Sequence, residues 1–406
     1  MKDLNVLKKL FLLSSLLLSS SLWAESELSN ILSNDKNQLL ENQSEQSGVQ
    51  TKQLENAWIN PIILQYSKNY TTQFGDTVDT QQFVLSVDQP VFKMGGIWSA
   101  IKYAKAFGQA NQLDIELQRR EAIFQALTIL YNLKKSKLQL EKLELMVAND
   151  KLDVQIQKES YEEGLSNRTL YDQALLKKNQ DSTSKLELEL SITKLENDFS
   201  LLSDSDPYAL TLPSFGMIEK ERYMQEQLEL KRDALRVEEK KENKFMTLTK
   251  YLPEISITGR YINEDLNPLF ARPDSSLNRE YFNYGFKVTL PISINSFRDV
   301  ESSKIEYLTA QVTLNEKKKS IANNFKLIQK HLEIIDKKIA LSKEDAGHYE
   351  SMLVTAQDME ALGDRTSFDT EIVSNTLNIR ELDQEIYKVD AQLELLGLYV
   401  NVADAL

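Results

Sequence analysis

Residues 281–296 read YFNYGFKVTLPISINS. Phe282, Tyr284, Phe286, Val288 and Leu290 alternate with Tyr281, Asn283, Gly285, Lys287 and Thr289, which is the period of a strand with one face wholly apolar and the other polar. Pro291 closes the run, because proline has no amide hydrogen for a sheet ladder and disfavours helix at the residue before it. No proline follows from 292 to residue 406. The stretch VDQPVFKMGG (87–96) does the same earlier in the chain: Phe83, Leu85 and Val87 alternate with Gln82, Val84, Ser86 and Asp88, Pro90 stops the strand, and 91–206 is free of proline. The two prolines lie 201 residues apart, and Gly95–Gly96 in one copy and Asn295–Ser296 in the other allow the bend from strand into helix.

Each junction strand has a partner upstream. Ile62, Leu64, Tyr66 and Tyr70 alternate with Ile63, Gln65, Ser67 and Asn69, and Ile255, Ile257 and Tyr261 alternate with Ser256, Thr258 and Arg260. A soluble sheet would lay such an apolar face on a core, whereas a transmembrane barrel would turn it to lipid and line a lumen with the polar face, using strands of about 9 to 11 residues and aromatic girdles. Strand length and the aromatic load (Trp58, Tyr66, Tyr70, Phe74, Phe92, Trp98, Tyr251, Tyr261, Phe282, Tyr284) favour the barrel. Four strands cannot close on themselves, since a small barrel takes about eight, so a barrel here requires an oligomer.

Downstream of each junction the proline-free stretches carry a strict heptad. Tyr103, Ala110, Leu117, Phe124, Tyr131, Leu138 and Leu145 recur every seven residues, as do Val300, Tyr307, Leu314, Ile321, Ile328 and Ile335. Such a period keeps one stripe against a partner only if the helices supercoil, so these are coiled-coil arms of about 60 residues, roughly 90 Å long. Each arm turns back, near Gly164 (EEGLSNRTLYDQ) and near Gly363 (ALGDRTSFDTE), and a second helix returns with apolar residues at spacings of three and four: Leu188, Ile192, Leu195, Phe199 and Leu202 in one copy, Ile379, Leu382, Ile386, Val389, Leu393, Leu396 and Val400 in the other. Stripe (103 and 300) and turn motif (Arg168-Thr169-x-x-Asp172 and Arg365-Thr366-x-x-Asp369) both repeat at an offset of 197 residues.

The predicted organisation is a signal peptide over 1–24; a first repeat over 25–206 with an upper helix, a strand pair at about 60–92 and a helical hairpin at about 95–204; a linker over 207–216; and a second repeat over 217–406 with an upper helix, a strand pair at about 253–292 and a hairpin at about 295–403. The signal rests on Lys2, Lys8 and Lys9 ahead of LFLLSSLLLSSSLWA, which is too short for a membrane-spanning helix. The upper helices are assigned to Leu28–Trp58 and to one charged helix from Met217 to about Lys250. Arg260–Tyr281, with Pro268 and Pro273, includes the longest interstrand loop, the kind that barrels expose outside the cell.

Composition removes several chemistries. A net charge of −13 makes a nucleic-acid partner unsuitable. The absence of cysteine excludes disulfides, thiolate metal sites, a cysteine nucleophile and a lipidated cysteine anchor, and His331 and His348 each stand alone in a predicted helix. No Gly-rich phosphate loop and no grouping of nucleophile, base and orienter is present, so neither an enzyme nor a cofactor is expected.

LSVDQPVFKMGGIWSA (85–100), YEEGLSNRTLYDQA (161–174), YLPEISITGRY (251–261), VTLPISINS (288–296) and LGDRTSFD (362–369), in this order and doubled, resemble the TolC family of outer-membrane efflux ducts over nearly the whole mature chain. The resemblance implies a homotrimer in outer-membrane lipid, each protomer giving four strands to a 12-stranded barrel and its helices to a periplasmic α-barrel. It implies a passive exit duct for efflux or type I secretion that works with a periplasmic adaptor and an inner-membrane transporter. Gly164, Leu165 and Gly363 match the adaptor-docking tip, Arg365 the gate arginine, Asp369 a gate carboxylate and Thr169 a gate threonine. Leu170, Ile372 and Glu360 depart from the family's gate, so the latch would be wired through Asp172 or Glu371. Arg365 would tie neighbouring helices shut and Asp369 would draw cations; otherwise both are solvated helix-end charges. The competing class is a periplasmic adaptor, which also carries helical hairpins, though usually one hairpin with soluble β-domains.

Overall fold

A computed structural model describes residues 31–73, 75–266, 278–363 and 366–403. The signal segment 1–24, Pro268 and Pro273 of the long loop, and Arg365 lie outside the described residues. In chain order the elements are α1 (Asn34–Glu55), β1 (Ile63–Gln73), β2 (Asp76–Phe92), α2 (Gly96–Glu162), α3 (Arg168–Ser200), α4 (Lys220–Gln225), α5 (Leu228–Thr249), β3 (Glu254–Asp265), β4 (Asn278–Thr289), α6 (Ser296–Leu362) and α7 (Ser367–Tyr399). The long arms α2 and α6 have 67 residues each, and the returning helices α3 and α7 have 33 each. At 1.5 Å per residue each long arm runs about 100 Å. No described helix is long and apolar enough to cross a membrane.

The chain forms two compact units. One comprises Asn42–Ile115 and Glu229–Lys317 and holds the sheet, four antiparallel strands in the order β1-β2-β3-β4. Beneath the strands, helix pairs approach closely where a side chain is missing: a Cβ on Gly108 would sit 2.2 Å from Thr51 Oγ1 of α1, and one on Gly96 2.4 Å from Thr249 Oγ1 of α5. Arg232 and Arg236 of α5 grip Asp114 of α2 at 3.1 and 2.7 Å, and Arg236 also reaches Glu239 at 2.7 Å.

The other unit comprises the described parts of Met1–Glu41, Glu116–Leu228 and Lys318–Leu406. Its core is Ile123, Leu127, Leu130, Tyr131 and Leu133 from α2 and Ile321, Phe325, Ile328 and Ile335 from α6, with Ile386, Val389, Leu396 and Leu398 from α7. No member of either predicted heptad stripe is exposed, and Ile321, Ile328 and Ile335 are fully buried at steps of seven. The segment 201–219 is more than a tether. Phe215 exchanges backbone bonds with the Gln392 amide at 2.7 and 3.2 Å and packs against the Tyr399 ring, tilted by 50° with centroids 4.8 Å apart, and the Tyr131 hydroxyl donates to the Pro213 carbonyl. Burial there pushes the Tyr131 hydroxyl up to about 12.

Three expectations need correction. The charged helix expected over Met217–Lys250 is two helices, broken at Glu226–Gln227. The cause is a pairing with the chain's end: Leu228 N donates to Asn401 at 2.8 Å, Ala403 N to Glu226 at 2.9 Å, and Gln227 is buried against Val402. Pro90 does not end its strand: it pairs with Ser256, and β2 reaches Phe92 across a register shift. β1 pairs with β2 only as far as Ser86, so at Pro90 the strand has a neighbouring strand on one side alone and the other side asks for no donor. In the other copy β4 does stop at Thr289, ahead of Pro291. Finally, the turn motif and the elements keep different registers. α2 and α6 begin 200 residues apart (96 and 296) and the turn glycines are 199 apart (164 and 363), so the offset of 197 seen in Arg-Thr-x-x-Asp does not superpose equivalent positions.

Candidate functional site

Strand register assembles one apolar face from all four strands. Leu64, Leu85, Tyr261 and Phe282 form one row across the sheet, and Phe92, Ile255 and Val288 form another nearer the helices. Between them lie Val87, Gly259, Tyr284, Ile257 and Phe286. Towards the β1–β2 turn the same face becomes polar, with Lys68 paired to Asp79 at 2.8 Å and lying over the Tyr70 ring. The apolar face is uncovered: Tyr284 is 84% exposed and Phe286 78%. On the opposite side, which carries Ser256, Thr258, Arg260 and Lys287, only the middle strands are sheltered: Ser256 is 1% exposed, and Val84 and Ile262, paired across β2 and β3, are buried, while Arg260 and, on β4, Asn283, Lys287 and Thr289 are exposed. On this side Lys287 pairs with Asp88 and Arg279 with Glu264 at 2.8 Å. Water-soluble sheets bury the apolar face, so this sheet has the opposite polarity, that of strands in hydrocarbon around a polar interior. The outer strands β1 and β4 have no second neighbour among the described residues, and open edges do not occur in lipid.

The two strand-to-helix junctions solve one problem differently. Met94 and Gly95 adopt left-handed backbone (φ 43° and 85°), and Gly96, the first residue of α2, donates to the Lys93 carbonyl at 2.6 Å. In the second copy the Ser293 hydroxyl accepts from Asn295 N at 3.2 Å, and the chain passes Pro291 and Asn295–Ser296 without any left-handed residue. Ile292, Ile294 and Phe297 are exposed here and extend the apolar band beyond β4.

At the first hairpin tip Gly164 (φ 75°) reverses the chain, Leu165 N and Ser166 N donate back to Ser160, and Leu165 itself is 78% exposed. Asn167 caps α3 by accepting from Leu170 N at 3.2 Å. Thr169 is therefore inside the helix and exposed, and Asp172 pairs with Arg168 one turn back at 3.5 Å. At the second tip Gly363 (φ 79°) does the turning, and Thr366 and Asp369 form a reciprocal capping box: Asp369 N donates to Thr366 Oγ1, and the Asp369 carboxylate accepts from Thr366 N and, at 2.9 Å, from its hydroxyl. Glu371 is exposed. Thus Asp172 and Asp369, the matched carboxylates of the sequence motif, do different work. One answers an arginine on its own helix and the other starts a helix. Among the described residues, no hydrogen bond or ion pair joins the two tips.

What does join the hairpins is a ladder that sequence reading missed. Lys135 reaches Asp390 at 2.7 Å, Lys142 reaches Asp383 at 2.6 Å, and Asn149 donates to Thr376 at 3.4 Å while accepting from Asn375 at 2.8 Å. The α2 members are seven apart and so are the α7 members, running in opposite directions, which is the register of an antiparallel coiled coil. The signal was present as Lys135, Lys142 and Asn149 against Thr376, Asp383 and Asp390, but it becomes legible only once α7 is known to lie antiparallel to α2.

No family model and no curated protein matches the sequence. Solved structures match in three dimensions. The CmeC outer membrane channel of Campylobacter jejuni superposes with a TM-score of 0.73 at 15% identity, covering 95% of this chain and 86% of that one. The outer membrane protein VceC of Vibrio cholerae gives 0.72 at 13% identity, covering 91% and 93%. CusC, whose structures concern folding and transmembrane channel formation, gives 0.67 at 14% identity, covering 91% and 90%. At such identities the likeness is one of fold: this chain has the fold of these outer membrane channels.

Proposed function

We propose that the protein is a TolC-family duct of the outer membrane, a homotrimer whose three four-stranded sheets close one 12-stranded barrel and whose hairpins line a periplasmic conduit. The observation that carries this is the sheet's polarity: an uncovered apolar face, a polar face sheltered only along its middle strands, and two open edges that must find partners in lipid. Uncovered apolar positions on α6 (Ile305, Val312, Leu327, Ile334, Leu341) and α3 (Leu176, Leu186, Leu190) supply further contact surface for neighbouring copies. The exposed tips, with Gly164 and Leu165 in one and Gly363 in the other, would meet a periplasmic adaptor fed by an inner-membrane transporter. The gate would combine Arg365 with carboxylates among Asp172, Asp369 and Glu371, beside Thr169. A periplasmic adaptor, the competing class, has no use for an apolar sheet face open to its surroundings. The test is fractionation and conductance: the mature chain should be extracted from outer membranes as a heat-modifiable oligomer and form ion-conducting pores in planar bilayers. Recovery as a detergent-free monomer would overturn the proposal.

A further inference from the structure

Next to the last rung of the ladder, on the side of the first tip, two carboxyl groups face each other across the arms of the first hairpin. Asp150 of α2 is 2% exposed, and its Oδ1 accepts from Lys177 Nζ of α3 at 2.8 Å. Its Oδ2 is buried with no donor, and so is Oδ2 of Asp181, one turn along α3 and within hydrogen-bonding reach of Asp150. One lysine cannot neutralise two carboxylates, one buried and one half-buried, and two acceptors cannot bond each other without a hydrogen between them. Other charges here are few. Asp153 lies near enough to Lys177 to add to the negative field, Lys185 answers Glu144 at 2.8 Å, and from α7 the neutral Asn375 and Thr376 bond the neighbouring Asn149.

We propose that Asp150 and Asp181 hold a single proton between them, which makes the pair a proton-operated clasp joining α2 to α3. Nothing in the tip or ladder chemistry requires this site, and it stands whether or not the chain is a duct. Protonated, Asp181 donates to the unpartnered Asp150 oxygen, while Lys177 holds the other oxygen. Deprotonated, the two anions repel across a buried seam. Burial, followed by the hydrogen bond and the charge of Asp150, raises the Asp181 carboxyl above the ordinary aspartate range. The folded state therefore binds this proton more readily than the unfolded chain does. The clasp is complete below the ordinary aspartate range and is lost as pH rises through the raised value. The first hairpin becomes looser as its surroundings turn from acidic to alkaline.

The test uses the full chain in detergent micelles. Amide exchange around 145–153 and 177–185, corrected for intrinsic rate, is followed from acidic to alkaline pH in the wild type, Asp181→Asn and Asp150→Asn. In the wild type, opening should become more frequent as pH rises, by up to about tenfold per unit where the proton is lost. In Asp181→Asn, whose amide supplies the hydrogen permanently, that pH dependence should vanish. Parallel pH profiles in the wild type and Asp181→Asn would overturn the proposal. An infrared titration of the wild type keeps the test independent of variant folding: a buried protonated carboxyl band should disappear as opening increases, and absence of the band at every pH above the ordinary aspartate range would refute the clasp.

Discussion

Lys142→Ala is the sharpest probe of how the hairpins are tied. Asp383 is 7% exposed and has two cationic partners, Lys142 Nζ at 2.6 Å and Arg380 Nη1 at 3.3 Å. Removing the only partner of a buried charge costs about 3–5 kcal/mol. Here Arg380 remains and the Lys142 side chain is 30% exposed, so the expected loss is smaller, about 1–2 kcal/mol. That corresponds to roughly a 5- to 30-fold rise in local opening. Asp383→Ala also releases Arg380, yet the double variant Lys142→Ala/Asp383→Ala should cost less than the two singles added, with a coupling of about 1–2 kcal/mol. Amide exchange along α7 near residue 383 reads all four corners of the cycle in the assembled protein. A coupling below about 0.3 kcal/mol would show that the short distance carries no net interaction and that apolar seams alone set the register.

Three further outcomes follow from other parts of the structure. Gly96→Ala should destabilise the first junction by about 1–3 kcal/mol, since the new methyl meets Thr249 Oγ1, and Thr249→Gly should restore most of the loss in thermal melts of the double variant. Phe286→Arg places a charge on the uncovered face and should cost about 2–4 kcal/mol of membrane assembly near mid-bilayer; the fraction recovered as heat-modifiable oligomer measures it, and wild-type recovery would contradict the assigned face. Asp369→Ala removes one half of the capping box and should weaken the first turn of α7 by about 0.5–2 kcal/mol, seen as faster exchange confined to residues near 367–371, whereas Glu371→Ala should leave that turn unchanged.

Strand faces were legible because alternation depends only on the polarity of each residue: the apolar face read from Phe282 to Leu290 is exposed, and the register joins it to Leu64 and Tyr66, Phe83 and Leu85, and Ile257 and Tyr261. The long arms were legible for a similar local reason, the absence of proline together with an unbroken heptad. Pro90 misled because a proline is tolerated in a strand where one flank has no neighbouring strand: β1 leaves β2 at Ser86, while the pairing that carries β2 onward is with Ser256, 166 residues away. The break at Gln227 was hidden for the same cause, its partner being Val402. The repeated Arg-Thr-x-x-Asp motif was a real likeness of letters, but helix starts are set by the nearest competent cap. Asn167 captures that role two residues before Thr169, while Thr366 takes it directly.

Lipid contact can be measured where it matters. In protein reconstituted with lipids brominated along the acyl chain, Tyr284→Trp should show strong added quenching relative to the parent, and Asn283→Trp, one residue away on the polar face, should show little. Equal quenching at both positions, or none at 284, would contradict a sheet whose apolar face meets hydrocarbon.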